Sequence, residues 1–200
     1  MMKLVEKQIF SFFSIGMWKT SYFCRNMKII CVGMNYPWHN NVSENTLIIS
    51  ESPTLFSKPD SALLRNGKPF FIPDFADEFI AEAALVVRID RMGKSVPERF
   101  AHRYIGAITV GVDFTAQGLH TQATPLGLAW EQKCFDGSAI IGDWVTMDEL
   151  ENVDDIVFHL DVDGIQMQRG CMKDMRWSIP KLVSYVSRYN TLKTGDVLFT

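Results

Sequence analysis

Three residues of this sequence, Glu82, Asp113 and Lys133, could together bind a metal ion and an anionic substrate. Glu82 begins an apolar run typical of a strand, Asp113 closes another such run before a polar turn, and Lys133 precedes a Phe-Asp-Gly turn. Carboxylate oxygens are the preferred ligands of hard divalent cations, and a nearby lysine would hold the negative charge of a substrate. An isolated acid at a strand end is more often a solvated edge residue, so this pattern alone leaves both interpretations open.

The elements that must position these residues are mostly strands. Short apolar runs between turn signals predict strands at residues 29–32, 69–72, 85–89, 105–112 and 139–145. Residues 156–162 alternate in polarity and are followed by Asp163 and Gly164, a pair that favours a tight hairpin turn. Asp161 and Asp163 do not fit a calcium loop, because the third acidic ligand and the late glutamate of that loop are absent.

The clearest helix begins after Ser178, a suitable N-cap, and has a proline in its first turn. Apolar residues then recur with helical spacing and predict one buried face, made of Ile179, Leu182, Val183 and Val186. Residues 97–104 are a second, weaker helix candidate. Strands outnumber helices and follow one another in runs typical of antiparallel pairing, which predicts an α+β fold that is mostly β.

Composition limits the possible partners. The chain has 200 residues, 47% of them hydrophobic and 22% charged, which is the balance of one globular domain. The net charge is −3 and no basic stripe is present, so a nucleic-acid partner is not expected. The four cysteines, at positions 24, 31, 134 and 171, match neither a zinc motif nor a disulfide scaffold. Free thiols in a reducing compartment are therefore expected, and with them a cytoplasmic protein.

The two ends of the chain are unusual. Residues 1–26 contain an apolar stretch at 9–18 that is too short to span a bilayer, so no membrane partner is expected. An extension upstream of a natural start near Met27 explains this segment better than a signal peptide, which would need a small-residue cleavage site. Residues 194–200 read as a turn followed by an unfinished strand. We therefore expect a domain at 27–200 that is incomplete at its C-terminus.

A series of short motifs after Met27 carries a resemblance to a known family. Their order and spacing are similar to those of the fumarylacetoacetate hydrolase family, and they lie at residues 31–39, 55–59, 82–87, 110–116, 130–136, 174–180 and 191–197. The resemblance implies a mixed β-roll, a bound Mg²⁺, Mn²⁺ or Ca²⁺ ion, and a homodimer. It also implies a small 2-oxo or 1,3-dicarbonyl acid as substrate, which is hydrolysed, decarboxylated or isomerised through a metal-stabilised enolate.

The resemblance assigns roles to individual residues. Glu82 matches the first metal carboxylate, Asp113 the last, and Lys133 the lysine of the site, which binds substrate. Tyr36 matches a substrate-binding residue, and His39 matches the catalytic histidine of a mobile lid in the pattern Asn-Tyr-x-x-His. For His39 an ordinary surface-loop histidine is the alternative. The other histidines, at positions 102, 120 and 159, match no catalytic role.

The sequence departs from the family pattern at the site more than in the core. Ala84 stands where the family has a second glutamate, and Val42 stands where the lid glutamate belongs. Gln117 and Gly118 replace an Arg-Asp pair, and the Gly-Thr-Pro motif expected after Thr200 is absent. A weakened metal site is therefore expected. Three hypotheses remain, namely an enzyme, a catalytically silent relative, and a binding module unrelated to the family.

Overall fold

The computed structural model describes residues 27–37, 51–64, 68–118, 130–150 and 153–200. The strands are β1 Ile29–Gly33, β2 Thr54–Lys58, β3 Leu63–Leu64, β4 Glu78–Ile89, β5 Ile105–Gln117, β6 Ala139–Ile141, β7 Val145–Thr146, β8 Val157–Val162, β9 Ile165–Cys171 and β10 Val197–Phe199. Two α-helices, α1 Trp130–Lys133 and α2 Ile179–Tyr189, and several short 3-10 turns complete the described elements. No helix in this part of the chain has the length and apolar character needed to cross a membrane.

The main sheet is built around the long antiparallel pair β4–β5. Its strand order is β2-β1-β10-β4-β5-β6-β3, with β7 also paired to β5. The pairs β1–β10 and β3–β6 are parallel, whereas the other pairs are antiparallel. The sheet is therefore mixed, and the prediction of a mostly β, mixed-sheet α+β fold is confirmed.

The two faces of β4 contact different parts of the core because side chains alternate along a strand. Leu85 and Val87 face the clusters that contain the β8–β9 hairpin and α2. Val86 faces the cluster formed with β1 and β10 on the opposite side. Glu82 and Ala84 have the same parity as Val86, so they lie on this second face.

Three predictions from local patterns agree with the structure. The Ser178 hydroxyl accepts a hydrogen bond from the backbone N–H of Lys181, and the predicted apolar face of α2 is buried. The weaker candidate at 97–104 forms a 3-10 helix, Glu98–Tyr104. The β8–β9 hairpin turns at Asp163 and Gly164, whose φ angles of 52° and 78° are those of a type I′ turn.

Three sequence predictions are corrected by the structure. Residues 69–72 form no strand, because prolines at positions 69 and 73 remove backbone donors, and Phe71 is 80% exposed. The predicted strand at 139–145 divides into β6 and β7. Asp113 does not close its strand, since β5 continues to Gln117. Residues 114–117 pair with β4 instead of forming a turn.

Two other predictions concern the N-terminal segment and the cysteines. Residues 1–26 lie outside the described residues, so the predicted extension stays a prediction. Among the described cysteines, Cys31, Cys134 and Cys171 are free thiols.

Candidate active site

Glu82 and Asp113 are direct cross-strand partners in the middle of the β4–β5 pair. Directly opposed residues in an antiparallel pair project from the same face, which brings the two carboxylates together although they are far apart in sequence. The Glu82 side chain is 37% exposed, whereas that of Asp113 is 11% exposed. The Thr115 hydroxyl lies 3.4 Å from Glu82 Oε2 and donates to it. The pair thus presents one open and one sheltered carboxylate.

Lys133 completes this arrangement from the end of α1. Its Nζ lies 2.9 Å from Asp113 Oδ2 and 3.2 Å from Glu82 Oε2, and it stands 4.9 Å from the ring centre of Phe56. Burial alone would lower the pKa of Lys133, but the charges of Asp113 and Glu82 raise it more, so the net shift is upward. Lys133 is therefore a cation at neutral pH, suited to binding an anion and unsuited to acting as a base.

Lys58, at the end of β2, is a residue of this site that the sequence analysis did not single out. Its side chain is fully buried, and its Nζ lies 2.8 Å from Asp113 Oδ1. The ammonium also donates to Ser138 Oγ at 2.9 Å and to the backbone carbonyls of Phe114 and Lys133. Lys58 therefore ties β5 to the end of α1 beneath the carboxylates. The available signal was a lone lysine closing an apolar strand just before a proline.

Tyr36 forms one wall of the cleft above the carboxylates. Its hydroxyl lies 2.6 Å from Thr200 Oγ1, which itself donates to the carbonyl of Leu85 at 3.0 Å, so Tyr36 is the donor to Thr200. Burial raises the pKa of the Tyr36 phenol well above its usual range. Tyr36 is thus a neutral donor at the position where the sequence predicted a substrate contact. His39 and Val42 lie outside the described residues.

The cleft between these residues is open on one side and encloses about 540 Å³, including solvent at its mouth. Its polar and small lining residues include Tyr36, Glu82, Ala84, Asp113, Lys133 and Gln168. Ala84 lies two residues beyond Glu82 on the same face, so the missing second glutamate would have pointed into this cleft. The methyl group of Ala84 supplies no ligand.

Glu82 and Asp113 could hold a divalent ion, although the protein supplies few ligands for it. Asp113 Oδ1 is buried and lies 2.8 Å from the Lys58 ammonium, and Oδ2 lies 2.9 Å from Lys133. A carboxylate has about four lone-pair sites, so Asp113 can accept a further ligand beside its two lysines. Mg²⁺ commonly uses one or two carboxylates and keeps several waters, a requirement that Glu82 and Asp113 can meet. No cluster of three or more His, Cys, Asp or Glu side chains occurs among the described residues, so the protein supplies few ligands.

Charge balance also limits the affinity for a metal. The two carboxylates of Glu82 and Asp113 are already matched by the ammonium groups of Lys58 and Lys133. An added divalent cation would therefore be attracted by the two carboxylates and repelled to a similar extent by the two ammonium groups. An anionic substrate bound beside the metal would restore neutrality. The geometry thus favours joint binding of a cation and an anion over binding of the cation alone.

Comparisons with known proteins identify relatives of this chain. A family model described as fumarylacetoacetate (FAA) hydrolase C-terminal matches residues 28–200. The oxaloacetate tautomerase FAHD1 of Arabidopsis thaliana is 36% identical over 179 residues, covering 89% of this chain and 79% of that protein. The corresponding protein of Homo sapiens is 32% identical over 173 residues, covering 86% and 77%.

Solved structures share the fold. Fumarylpyruvate hydrolase from Pseudomonas aeruginosa, in complex with Mn²⁺ and pyruvate, has a TM-score of 0.73 and 30% identity, covering 87% of this chain and 76% of that one. A 5-carboxymethyl-2-hydroxymuconate delta-isomerase from Mycobacterium smegmatis has a TM-score of 0.70 and 28% identity, covering 88% and 67%. These relatives are enzymes with hydrolase, isomerase and tautomerase activities, and one of them binds a divalent metal.

The predicted cytoplasmic location is wrong, because it disagrees with the location of the relatives. The Arabidopsis, rat and human relatives are all named as mitochondrial proteins. The cysteine pattern reports only a reducing environment, which does not separate one such compartment from another. The family prediction, by contrast, is confirmed by a model match over 28–200 and by relatives above 30% identity. This chain belongs to the fumarylacetoacetate hydrolase family.

Proposed function

We propose that this chain binds a divalent cation, Mg²⁺ or Mn²⁺, through Glu82 and Asp113, together with a small 2-oxo acid. The observation that carries the proposal is the direct cross-strand pairing of these carboxylates, with Lys133 in contact with both. The Mn²⁺ and pyruvate held by the Pseudomonas aeruginosa relative support the same pairing of metal and 2-oxo acid. When bound, such an ion would supply Lewis-acid stabilisation of the negative charge that develops on a keto oxygen.

The protein's own residues would bind and orient the substrate. Lys133 is a buried cation beside the carboxylates and would bind a substrate carboxylate. Tyr36, held by Thr200, would limit the cleft on one side and present a neutral hydroxyl. Lys58 would hold Asp113 in place from below. His39, the proposed lid histidine, would handle a proton or a water molecule.

The reaction class follows from the chemistry that these groups share. Hydrolysis of an acylpyruvate, decarboxylation of oxaloacetate and its tautomerisation all develop charge on the keto oxygen of a 2-oxo acid. We propose that the chain performs a reaction of this class. The named activities of its relatives, tautomerase and fumarylpyruvate hydrolase, support that choice.

A second candidate, a catalytically silent member of the family, is favoured by one observation. Ala84 leaves the cleft with two carboxylates balanced by two lysines. If the metal bound too weakly, the fold would persist without turnover. Loss of a group that only supports a metal ligand already costs about 10–100-fold in affinity or activity, and loss of a ligand should cost more.

Turnover of acylpyruvates and oxaloacetate with Mn²⁺ separates the two candidates. The enzyme hypothesis predicts a kcat on the order of 1 s⁻¹ or above, abolished by Glu82→Gln and Asp113→Asn. Glu78→Gln is the matched control, because Glu78 is exposed and lies on the same strand as Glu82. Absence of turnover by the unaltered protein with Mn²⁺ present would leave the silent relative as the answer.

The predicted homodimer also remains a proposal. Large apolar side chains are exposed in the irregular segment before β4, where Phe71 is 80%, Ile72 54% and Phe75 44% exposed. Burial of such a patch against a second copy would remove it from water. Sedimentation equilibrium should give twice the chain mass, and Phe71→Ser should shift the protein towards monomer. A monomer at all concentrations would contradict the proposal.

A further inference from the structure

The side chain of Gln168 makes a two-point contact with the backbone of Ala83. Its Oε1 accepts from the N–H of Ala83 at 2.6 Å, and its Nε2 donates to the carbonyl of Ala83 at 2.8 Å. A carboxamide with this orientation copies the pair of hydrogen bonds that a neighbouring strand would make. The contact falls on the residue between Glu82, the candidate ligand, and Ala84.

The edge of β4 needs such a partner at this point. Strand β10 pairs with β4 only from Val86 to Arg88, and the N–H of Thr200 adds one bond to the carbonyl of Leu85. Among the described residues, no strand continues along this edge beside Ala83, which is 3% exposed. Buried backbone groups without partners are costly, so the Gln168 amide stabilises this stretch of β4.

A β-bulge in the β8–β9 hairpin places Gln168 for this contact. Leu160 pairs with Gln168 and Asp161 pairs with Gln166, which leaves Met167 as an extra residue. Gln166 and Met167 are both exposed, whereas Gln168 is half-buried, so the alternation of the strand is broken at the bulge. Bulges near active sites often serve to redirect a side chain in this way.

We propose that Gln168 is a positioning residue, which fixes the backbone at Ala83 and thereby the direction of the Glu82 carboxylate. The proposal rests on the proposed function, since it takes Glu82 as a metal ligand. Gln168 acts through the backbone of β4, and both polar atoms of its amide are engaged by Ala83. Gln168 therefore raises the affinity for a metal indirectly, because it fixes the position and direction of the Glu82 carboxylate.

The test compares Gln168→Met with Gln166→Met. Methionine has a similar length but forms neither hydrogen bond, and Gln166 is an exposed residue of the same strand. Amide hydrogen exchange at Ala83 and Mn²⁺ affinity by calorimetry are measured well below the unfolding temperature. We expect exchange at Ala83 to accelerate at least about tenfold in Gln168→Met, with an affinity loss of roughly 10–100-fold, and neither change in Gln166→Met.

A third variant separates the hydrogen bonds from general packing. Gln168→Glu keeps an acceptor for the Ala83 N–H but sets a carboxylate oxygen against the Ala83 carbonyl, so its exchange rate at Ala83 should lie between those of the unaltered protein and Gln168→Met. Unchanged exchange at Ala83 in Gln168→Met would overturn the inference whether or not Mn²⁺ binds. Faster exchange with unaltered Mn²⁺ affinity would overturn it as well. If the unaltered protein binds no Mn²⁺, the proposed function fails, and the exchange data still decide whether Gln168 holds Ala83.

Discussion

Replacement of Lys58 by methionine removes a fully buried cation from beneath the site. The ammonium lies 2.8 Å from Asp113 Oδ1 and also serves Ser138 Oγ at 2.9 Å. Removing one partner of a buried ion pair typically costs about 3–5 kcal/mol, because the other charge is left without compensation. Asp113 keeps Lys133 on its second oxygen, and methionine fills most of the vacated volume, so we expect the low end of this range, about 3 kcal/mol.

Urea unfolding followed by circular dichroism measures this loss. Lys173→Met is the matched control, because Lys173 is 62% exposed and pairs with Asp155 on the surface, where such pairs contribute about 0–1 kcal/mol. Asp113→Asn in the Lys58→Met background should recover part of the loss, because it removes the uncompensated charge. A loss below about 1 kcal/mol for Lys58→Met would show that Lys58 and Asp113 stabilise the protein no more than an exposed ion pair does.

Three further predictions concern the elements that support the site, and the same unfolding assay measures each. Leu182→Ala empties a fully buried position on α2 and should cost about 2–5 kcal/mol, so a change below about 1 would contradict the packing described for this helix. Ser178→Ala removes the N-cap acceptor and should cost about 1 kcal/mol, whereas Ser184→Ala, further along the helix, should cost less. Gly111→Ala would bring a Cβ within 2.6 Å of the Ile140 carbonyl and should cost roughly 1–3 kcal/mol, and an unchanged stability would contradict this close approach.

Local patterns were enough to predict α2 and the β8–β9 hairpin. The cap at Ser178, the helical spacing of apolar residues and the Asp-Gly turn act within a few residues, so the sequence contains the whole signal. The predicted strand at 69–72 failed for a related reason. Its apolar residues satisfied the pattern, but the flanking prolines decided the backbone, and the segment packs through Phe70 against Phe114 without joining the sheet.

The site depended on information that lies beyond local patterns. Family resemblance singled out Glu82, Asp113 and Lys133, and in the structure Lys133 lies within ion-pair distance of both carboxylates. Their roles in binding and catalysis remain predictions. The Lys58 contact with Phe114 and the Gln168 contact with Ala83 join residues 56 and 85 positions apart, so the local sequence around either residue could not predict its partner. The roles of Lys58 and Gln168 can be inferred only when the fold shows which residues they contact.

We propose that Glu82 and Asp113 form a divalent-metal site that the alanine at position 84 weakens. The decisive measurement is a calorimetric titration of Mn²⁺, with and without pyruvate, into the unaltered protein, Ala84→Glu and Asp113→Asn. We expect weak binding that pyruvate strengthens, a gain of at least about tenfold in Ala84→Glu, and no binding in Asp113→Asn. Binding that is identical in the unaltered protein and Asp113→Asn, or an absence of binding even in Ala84→Glu, would contradict it.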